Sequence, residues 1–324
     1  MRRISIGIDT SNYKTSVAAV DIEENILCNL QQYLSVKKGE RGLRQSVALF
    51  QHVNNLPDLL TQLFETLRAG GEYTVDCIAV SEKPRTVEGS YMPCFQAGLS
   101  AAKSLAAALD VPCFFFSHQE GHIEAARFGT NLQNAPRFLS FHFSGGTSEG
   151  LLVSETDDSR FEISIEGGSK DLAFGQVLDR IGVALGIAFP CGRALDEIAL
   201  KLQKEGGISP KENLLPVIKC KDGFINLSGI ETCCQRLAET VEKERLAAML
   251  FTRLARAISE MTGQLSEKLG IEDVLFAGGV SASGYIRNEL KKALPSLNLC
   301  FGDPVMCTDN AAGTALLGGK AIWR

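Results

Sequence analysis

The sequence predicts an α/β protein of two lobes, each opening on a three-strand meander and continuing in alternating helices and strands. Three observations carry that prediction. β-rich runs alternate with helix-period runs along the whole chain. The opening pattern of three short strands returns at residue 138, as a weak repeat of architecture rather than of letters. A chain of 324 residues, 45% of them apolar, can bury a large core and is long enough for two domains at the usual ~100–200 residues each. The lobes are drawn as residues 1–116 with 302–324, and residues 117–301 with helical insertions.

In the first lobe, residues 4–9 and 15–21 read as strands separated by the polar Thr10-Ser11-Asn12-Tyr13-Lys14, and residues 26–34 follow Glu23-Glu24-Asn25 as the third. Residues 45–67 take a helical period, with Val47, Phe50, Val53, Leu56, Leu60, Leu63, Phe64 and Leu67 on one stripe and Pro57 expected to break or kink it. Strand 75–80, helix 95–109 and strand 111–116 lead into a helix holding His118. In the second lobe, strands 138–143, 148–153 and 160–166 form the repeated meander, with Ser144-Gly145-Gly146-Thr147 as its first turn. Helices follow at 173–186 and 193–205, then a surface loop Gly206-Gly207-Ile208-Ser209-Pro210, then a helical run from 231 to about 269 that is too long for one element and should break near Glu242. Strand 273–277 ends in Gly278-Gly279 and enters helix 281–293; strand 297–301 and helix 310–322 close the chain.

A formal charge of -5 offers no global positive field for a phosphate backbone, so binding to nucleic acid requires a local patch or a partner. The ten cysteines contain no C-x-x-C pair, and adjacent Cys233 and Cys234 are badly placed to bridge; reduced thiols of a cytoplasmic protein are expected. The first residues lack the apolar segment of a signal peptide, and no run approaches the ~18 apolar residues of a membrane span.

Only four histidines are present, and two of them stand four apart in Ser117-His118-Gln119-Glu120-Gly121-His122. On a helix that spacing puts both imidazoles on one face, where they can share a metal ion, provided a third ligand comes from elsewhere. The alternative is a polar pair solvating a helix start. In Ser144-Gly145-Gly146-Thr147 the glycines allow close approach of a ligand to backbone N–H groups, and in Ala277-Gly278-Gly279-Val280-Ser281 a strand ends where a helix N-terminus offers unpaired donors. Either turn alone is an ordinary connection and matches neither G-x-G-x-x-G nor a P-loop. Two meander lobes with these turns together have the layout of the actin-like/sugar-kinase ATPases.

Several segments occur in the order and spacing of the TsaD/Gcp family, formerly called O-sialoglycoprotein endopeptidase, which nearly the whole chain resembles. They are Gly7-Ile8-Asp9-Thr10-Ser11, the histidine block, Ser144-Gly145-Gly146, Phe174-Gly175 to Leu178-Asp179, Phe189-Pro190-Cys191-Gly192, Ser228-Gly229, Ala277 to Ala282 and Cys307-Thr308-Asp309-Asn310. The resemblance implies a two-lobed actin-like fold with duplicated ribonuclease-H-like lobes. It also implies a tRNA N6-threonylcarbamoyladenine synthase that moves threonylcarbamoyl from threonylcarbamoyl-AMP to N6 of adenine-37, with a metal acting as Lewis acid and AMP leaving. By the same resemblance His118, His122 and Asp309 are metal ligands, a two-imidazole, one-carboxylate set suited to iron or zinc. His142, Phe143, Ser144, Gly145 and Gly146 match the segment along the acyl-nucleotide phosphates, with the Gly145 and Gly146 amides steadying the phosphate. Asp179 and Gly192 match ribose and adenine contacts, and Gly278 and Gly279 belong to the nucleotide set. Ser283, counted with the nucleotide set, stands where the family has an asparagine touching the nucleotide. The resemblance also implies an adenine nucleotide, threonylcarbamoyl-AMP, AMP or ATP, expected in a cleft between the lobes. The implied partners are tRNA, a paralogous actin-like subunit and a small P-loop ATPase, with the 45–67 stripe as a docking face or simply as the face that packs on its own sheet.

Three function classes compete. Acyl transfer is the first. A metalloprotease is the second, and spacing opposes it: Glu120 lies two residues after His118, about 200° round the helix, and cannot be the base that H-E-x-x-H places beside the metal. The third is a paralogue that binds metal and adenine nucleotide but transfers another group or none. It draws on departures from the family pattern: Asn12-Tyr13-Lys14 for C-D-E, Arg85-Thr86-Val87-Glu88-Gly89 for a G-L-V-G turn, Glu231 for lysine and Thr147 for histidine. No catalytic residue beyond the metal ligands is assigned.

Overall fold

A computed structural model describes residues 1–11, 13–36, 43–209, 211–308 and 310–324. Asn12, Pro210 and Asp309, each singled out from the sequence, lie outside the described residues. The chain divides into two compact units, one built from residues 1–129, 155–162 and 305–324, the other from 130–154 and 163–304.

The first unit is organised by a five-stranded sheet in the order β3-β2-β1-β4-β5. Its strands are β1 (Arg2–Thr10), β2 (Lys14–Asp21), β3 (Ile26–Tyr33), β4 (Tyr73–Lys83) and β5 (Cys113–Ser117). β1 pairs antiparallel with β2, Asp9 opposite Ser16, and parallel with β4. The sheet is covered on both faces, which is why β2 is buried throughout. Side chains alternate between faces with period two: Val17 and Ala19 join Ile4, Ile6 and Ile8 against helices α1 (Gln45–Ala69) and α2 (Phe95–Leu109). Ala18 and Val20 instead meet Ala312, Ala315 and Leu316 of the last helix of the chain, which runs Ala312–Trp323. α1 continues through Pro57 instead of breaking there, with Leu56, Leu59, Leu63 and Leu67 buried on both sides of it; packing of that face outweighs the lost N–H. The predicted stripe is divided: Leu56, Leu63 and Leu67 face the sheet, whereas Val47, Phe50 and Val53 are exposed.

Helix α3 (His118–Arg127) belongs to this unit, across the boundary drawn at residue 116. It crosses the final helix where glycine meets glycine. A Cβ on Gly121 would lie 2.7 Å from Thr314 Oγ1, and one on Gly313 would strike the Gly121 carbonyl. The residue between the two histidines is therefore small because a neighbouring helix passes there.

The second unit repeats the plan. Its strands are β6 (Arg137–Phe143), β7 (Ser148–Glu155), β8 (Phe161–Ser169), β9 (Phe224–Ile225), β10 (Asp273–Ala277) and β11 (Asn298–Phe301), in the order β11-β10-β6-β7-β8-β9. Without the short β9 this is the same order as the first sheet: third, second, first, fourth, fifth. Phe141, Phe143, Phe174 and Phe276 form an aromatic core beneath it, Phe141 and Phe276 stacked at 5.2 Å. The helices are α4 (Phe174–Ala184), α5 (Gly192–Lys204), α6 (Ser228–Leu237), α7 (Lys243–Leu269) and α8 (Gly284–Ala293), and the first unit's last helix becomes α9. The expected break near Glu242 is present, with Glu242 as the residue preceding α7. The helix read from residue 281 starts later: Gly279–Ala282 is a 3-10 turn, and Ser283 caps α8 by accepting from Ile286 N.

Candidate functional site

α3 begins on a capping box. Ser117 Oγ accepts from Glu120 N at 3.2 Å, and Glu120 Oε2 accepts from Ser117 N at 2.6 Å. Glu120 is fully buried and also accepts from Phe161 N and from Arg160, at 3.2 and 3.3 Å. Its carboxylate is engaged in holding the helix start, which removes it as a general base in a second way. At the other end Arg127, buried, donates to Glu124 and Glu155, and Lys320 of α9 pairs with Glu124. The histidine helix is thus pinned at both ends and by its glycine crossing.

His118 and His122 stand with ring centroids 4.4 Å apart and planes at 81°. His118 Nδ1 lies 2.8 Å from Oδ1 of Asp9, a fully buried residue near the end of β1. In a neutral imidazole this arrangement keeps the proton on Nδ1 and leaves the Nε2 lone pair for a metal. Asp9 was quoted from sequence without a role; the signal available was a carboxylate inside an otherwise apolar strand. Among the described residues no three His, Cys, Asp or Glu side chains converge as a complete metal site, and Asp309 lies outside them. Its neighbour Asn310 is buried and shapes the turn into α9: Nδ2 donates to the Met306 and Thr308 carbonyls, and Oδ1 accepts from Ala312 N at 3.0 Å.

A third histidine supports this end of the sheet. His52 of α1 is fully buried, with Nε2 2.8 Å from the Ser11 carbonyl and Nδ1 2.8 Å from Thr15 Oγ1. The carbonyl can only accept, so Nε2 carries the hydrogen and Nδ1 accepts from Thr15, whose oxygen in turn accepts from Asn55 at 3.1 Å. Burial lowers the His52 pKa, against the raising effects of the Ser11 carbonyl and Asp9. The neutral ring clamps the two ends of the β1–β2 turn. Sequence reasoning passed over it because a lone histidine on a helix carries no local pattern.

The second unit holds a pocket of about 560 Å³, lined by Gly145, Asp179, Gly192, Gly279 and Ser283 together with Asp196, Arg193 and Phe251. That volume lies in the range of small-molecule sites. Asp179 is not a solvated helix residue: its Oδ1 accepts from Cys191 N at 2.8 Å and holds the entry to α5. Ser283 Oγ donates to Asp196 Oδ1 at 2.5 Å, and Asp196 also accepts from Gly284 N and Tyr285 N. Asp196, missed from sequence, therefore ties α5 to the N-terminus of α8. His142, Phe143, Ser144, Gly146 and Gly278 do not line the pocket. Phe143 is in the aromatic core. Ser144 Oγ accepts from Gly146 N at 3.3 Å and Thr147 N at 3.0 Å, closing the glycine turn on itself and leaving Gly145 toward the pocket. Gly278 takes φ 87°, where a side chain would also meet the Phe143 carbonyl.

The family model TsaD, described as tRNA N6-adenosine threonylcarbamoyltransferase, matches residues 25–316. A protein of that name from Dictyoglomus turgidum is 31% identical over 327 residues, covering 97% of this chain and 92% of its own. One from Thermosipho africanus is 28% identical, covering 98% and 94%. Among solved structures, HypF of T. kodakarensis aligns at TM-score 0.63 and 13% identity over 99% of this chain, which spans 48% of HypF. Component A of (R)-2-hydroxyglutaryl-CoA dehydratase from Acidaminococcus fermentans aligns at TM-score 0.55 and 13% identity over 99% of both chains. ROK hexokinase from Thermus thermophilus aligns at TM-score 0.50 and 16% identity, covering 97% and 98%. These likenesses establish the actin-like/sugar-kinase fold.

Proposed function

Because the chain belongs to the TsaD family of tRNA N6-adenosine threonylcarbamoyltransferases, we propose that it transfers threonylcarbamoyl from threonylcarbamoyl-AMP to N6 of adenine-37 in tRNA. The observation that carries this reading is the Asp9–His118–His122 arrangement, which orients one imidazole and sets a second beside it. By the family resemblance Asp309 is assigned as the third ligand beside His118 and His122, a set of residue types suited to iron or zinc. His118, His122 and Asp309 would hold a divalent metal, and the chemistry it would supply is Lewis-acid polarisation of the acyl carbonyl. The adenylate is assigned to the second-unit pocket, with Asp179 and Gly192 on the nucleoside and Gly145 beside its phosphate. N6 attacks the carbamoyl carbon, the carbonyl–phosphate bond breaks, AMP leaves, and N6 gives up a proton.

An acidic chain needs help to hold tRNA. The reading therefore includes partner subunits, an actin-like paralogue and a small P-loop ATPase, in the cytoplasm. Exposed Val47, Phe50 and Val53 on α1 are the apolar surface offered for docking. The test is transfer to tRNA by the chain with and without those subunits, read as modified nucleoside. His118→Ala with His122→Ala should abolish it. Absence of product in every combination overturns the reading.

A second reading, a paralogue moving a different group, is favoured by one observation. Where the family has an acid, Lys14 is buried beside Thr308.

A further inference from the structure

Lys14 opens β2 and is 5% exposed, yet its partners among the described residues are all neutral. Nζ donates to Gln31 Oε1 at 2.9 Å and to Thr308 Oγ1 at 3.1 Å, and lies 4.7 Å from the centre of the Tyr33 ring. An ammonium has three hydrogens, and two hydrogen bonds to neutral oxygens with one aromatic face do not supply a countercharge. Buried ions in proteins are ordinarily paired, because desolvating an uncompensated charge costs several kcal/mol. The other buried cations of this unit follow that rule: Arg127 has Glu124 and Glu155, and Lys320 has Glu124. Lys14 departs from it, and does so at the loop that runs into α9 and on the strand next to Asp9.

We propose that Lys14 is the countercharge for an oxyanion of the ligand bound by the first unit. Gln31 and Thr308 aim the ammonium, Tyr33 shields it, and the third N–H is directed to a carboxylate or phosphate oxygen. The inference rests on the transferase reading only in placing a ligand at this unit. It makes the group brought here anionic, a demand that an acidic side chain at position 14 would oppose. Two sources share that chemistry, the free carboxylate of a carbamoylated amino acid and a phosphate.

The experiment is a titration of the full chain, loaded with its metal, by ligand-detected NMR with three probes: N-carbamoyl-L-threonine, its uncharged carboxamide and inorganic phosphate. If the oxyanion is a carboxylate, the acid binds at least about tenfold more tightly than the amide, the scale of one charged hydrogen bond. If it is a phosphate, inorganic phosphate binds and the acid and amide do not differ. Lys14→Met loses the acid preference in the first case and phosphate binding in the second, in both while retaining metal content and fold. Equal binding of acid and amide without phosphate binding, no binding of any probe, or a preference that survives Lys14→Met overturns the proposal. The comparison of acid with amide in the unaltered protein decides the carboxylate arm even if Lys14→Met does not fold. A Lys14-dependent acid preference or phosphate binding with no transfer to tRNA leaves this inference standing and removes the transferase reading; transfer with neither does the reverse.

Discussion

Asp9 and His118 are 109 positions apart in the chain and meet at 2.8 Å, carboxylate on Nδ1. A buried strand carboxylate thus sets the tautomer of a ring on α3. Outer-shell carboxylates of this kind tune metal affinity by about 10–100-fold. Asp9→Asn is expected to weaken metal binding by roughly that factor without unfolding the chain, measured by competition with a chromogenic chelator. Unchanged affinity would assign Asp9 a packing role only.

His52 makes acid stability testable. Its folded pKa lies below the usual 6.5, first because burial disfavours the imidazolium. The unfolded ring takes up a proton at a higher pH than the folded one. Stability from this residue is therefore complete above pH 6.5 and declines as pH falls from there toward the folded value. Urea midpoints should drop from pH 7.5 to pH 5.5, and His52→Gln should start lower at pH 7.5 but lose less over the same interval. Parallel declines in both proteins would rule His52 out as the source.

The α3–α9 crossing leaves no room for a methyl group. Gly313→Ala is expected to cost about 1–3 kcal/mol by overpacking, seen in chemical denaturation, and to lower metal content as α3 shifts. Gly129→Ala, at a glycine with open space around it, tests instead the left-handed backbone at φ 70° and should leave metal content unchanged.

For the second unit, AMP at millimolar concentration should raise the thermal midpoint. Asp179→Ala should reduce that rise, by weakening both ligand contact and the hydrogen bond to Cys191 N. Asp196→Ala should cost about 1 kcal/mol through the lost cap on α8. An AMP response untouched by Asp179→Ala would move the nucleotide elsewhere.

Phe50→Glu on α1 should abolish association with a partner subunit while leaving thermal stability within about 0.5 kcal/mol, since the side chain is 68% exposed. Co-elution of the variant with the partner in size-exclusion chromatography would remove this face from the docking surface.

The fold was legible because its signals are local and repeated: period-two strands, helical stripes and glycines at strand ends. Pro57 misled because a helix packed on a sheet tolerates one missing hydrogen bond. The start of α8 was misplaced because a capping serine and a 3-10 turn resemble a helical start in letters. In the site, the histidine pair was visible from spacing alone. His52 and Asp196 were not, and Asp9 and Lys14 stood there as letters without their contacts, since each acts through a partner 37 or more positions away or, for Lys14 with Gln31, across a strand pair. Distance along the chain hides such pairings from any window.

The shared strand order of the two sheets bears on how this chain can change. Each unit carries a first strand ending at a short turn, and the two turns have been put to unlike uses, one beside imidazoles, the other beside a pocket. Because each unit has its own hydrophobic core, a turn in one can change without repacking the core of the other. In the first unit the turn leads into the buried Lys14, and in the second it closes on itself through Ser144. Duplication made the first turn a place where specificity can be rewritten without rebuilding the protein.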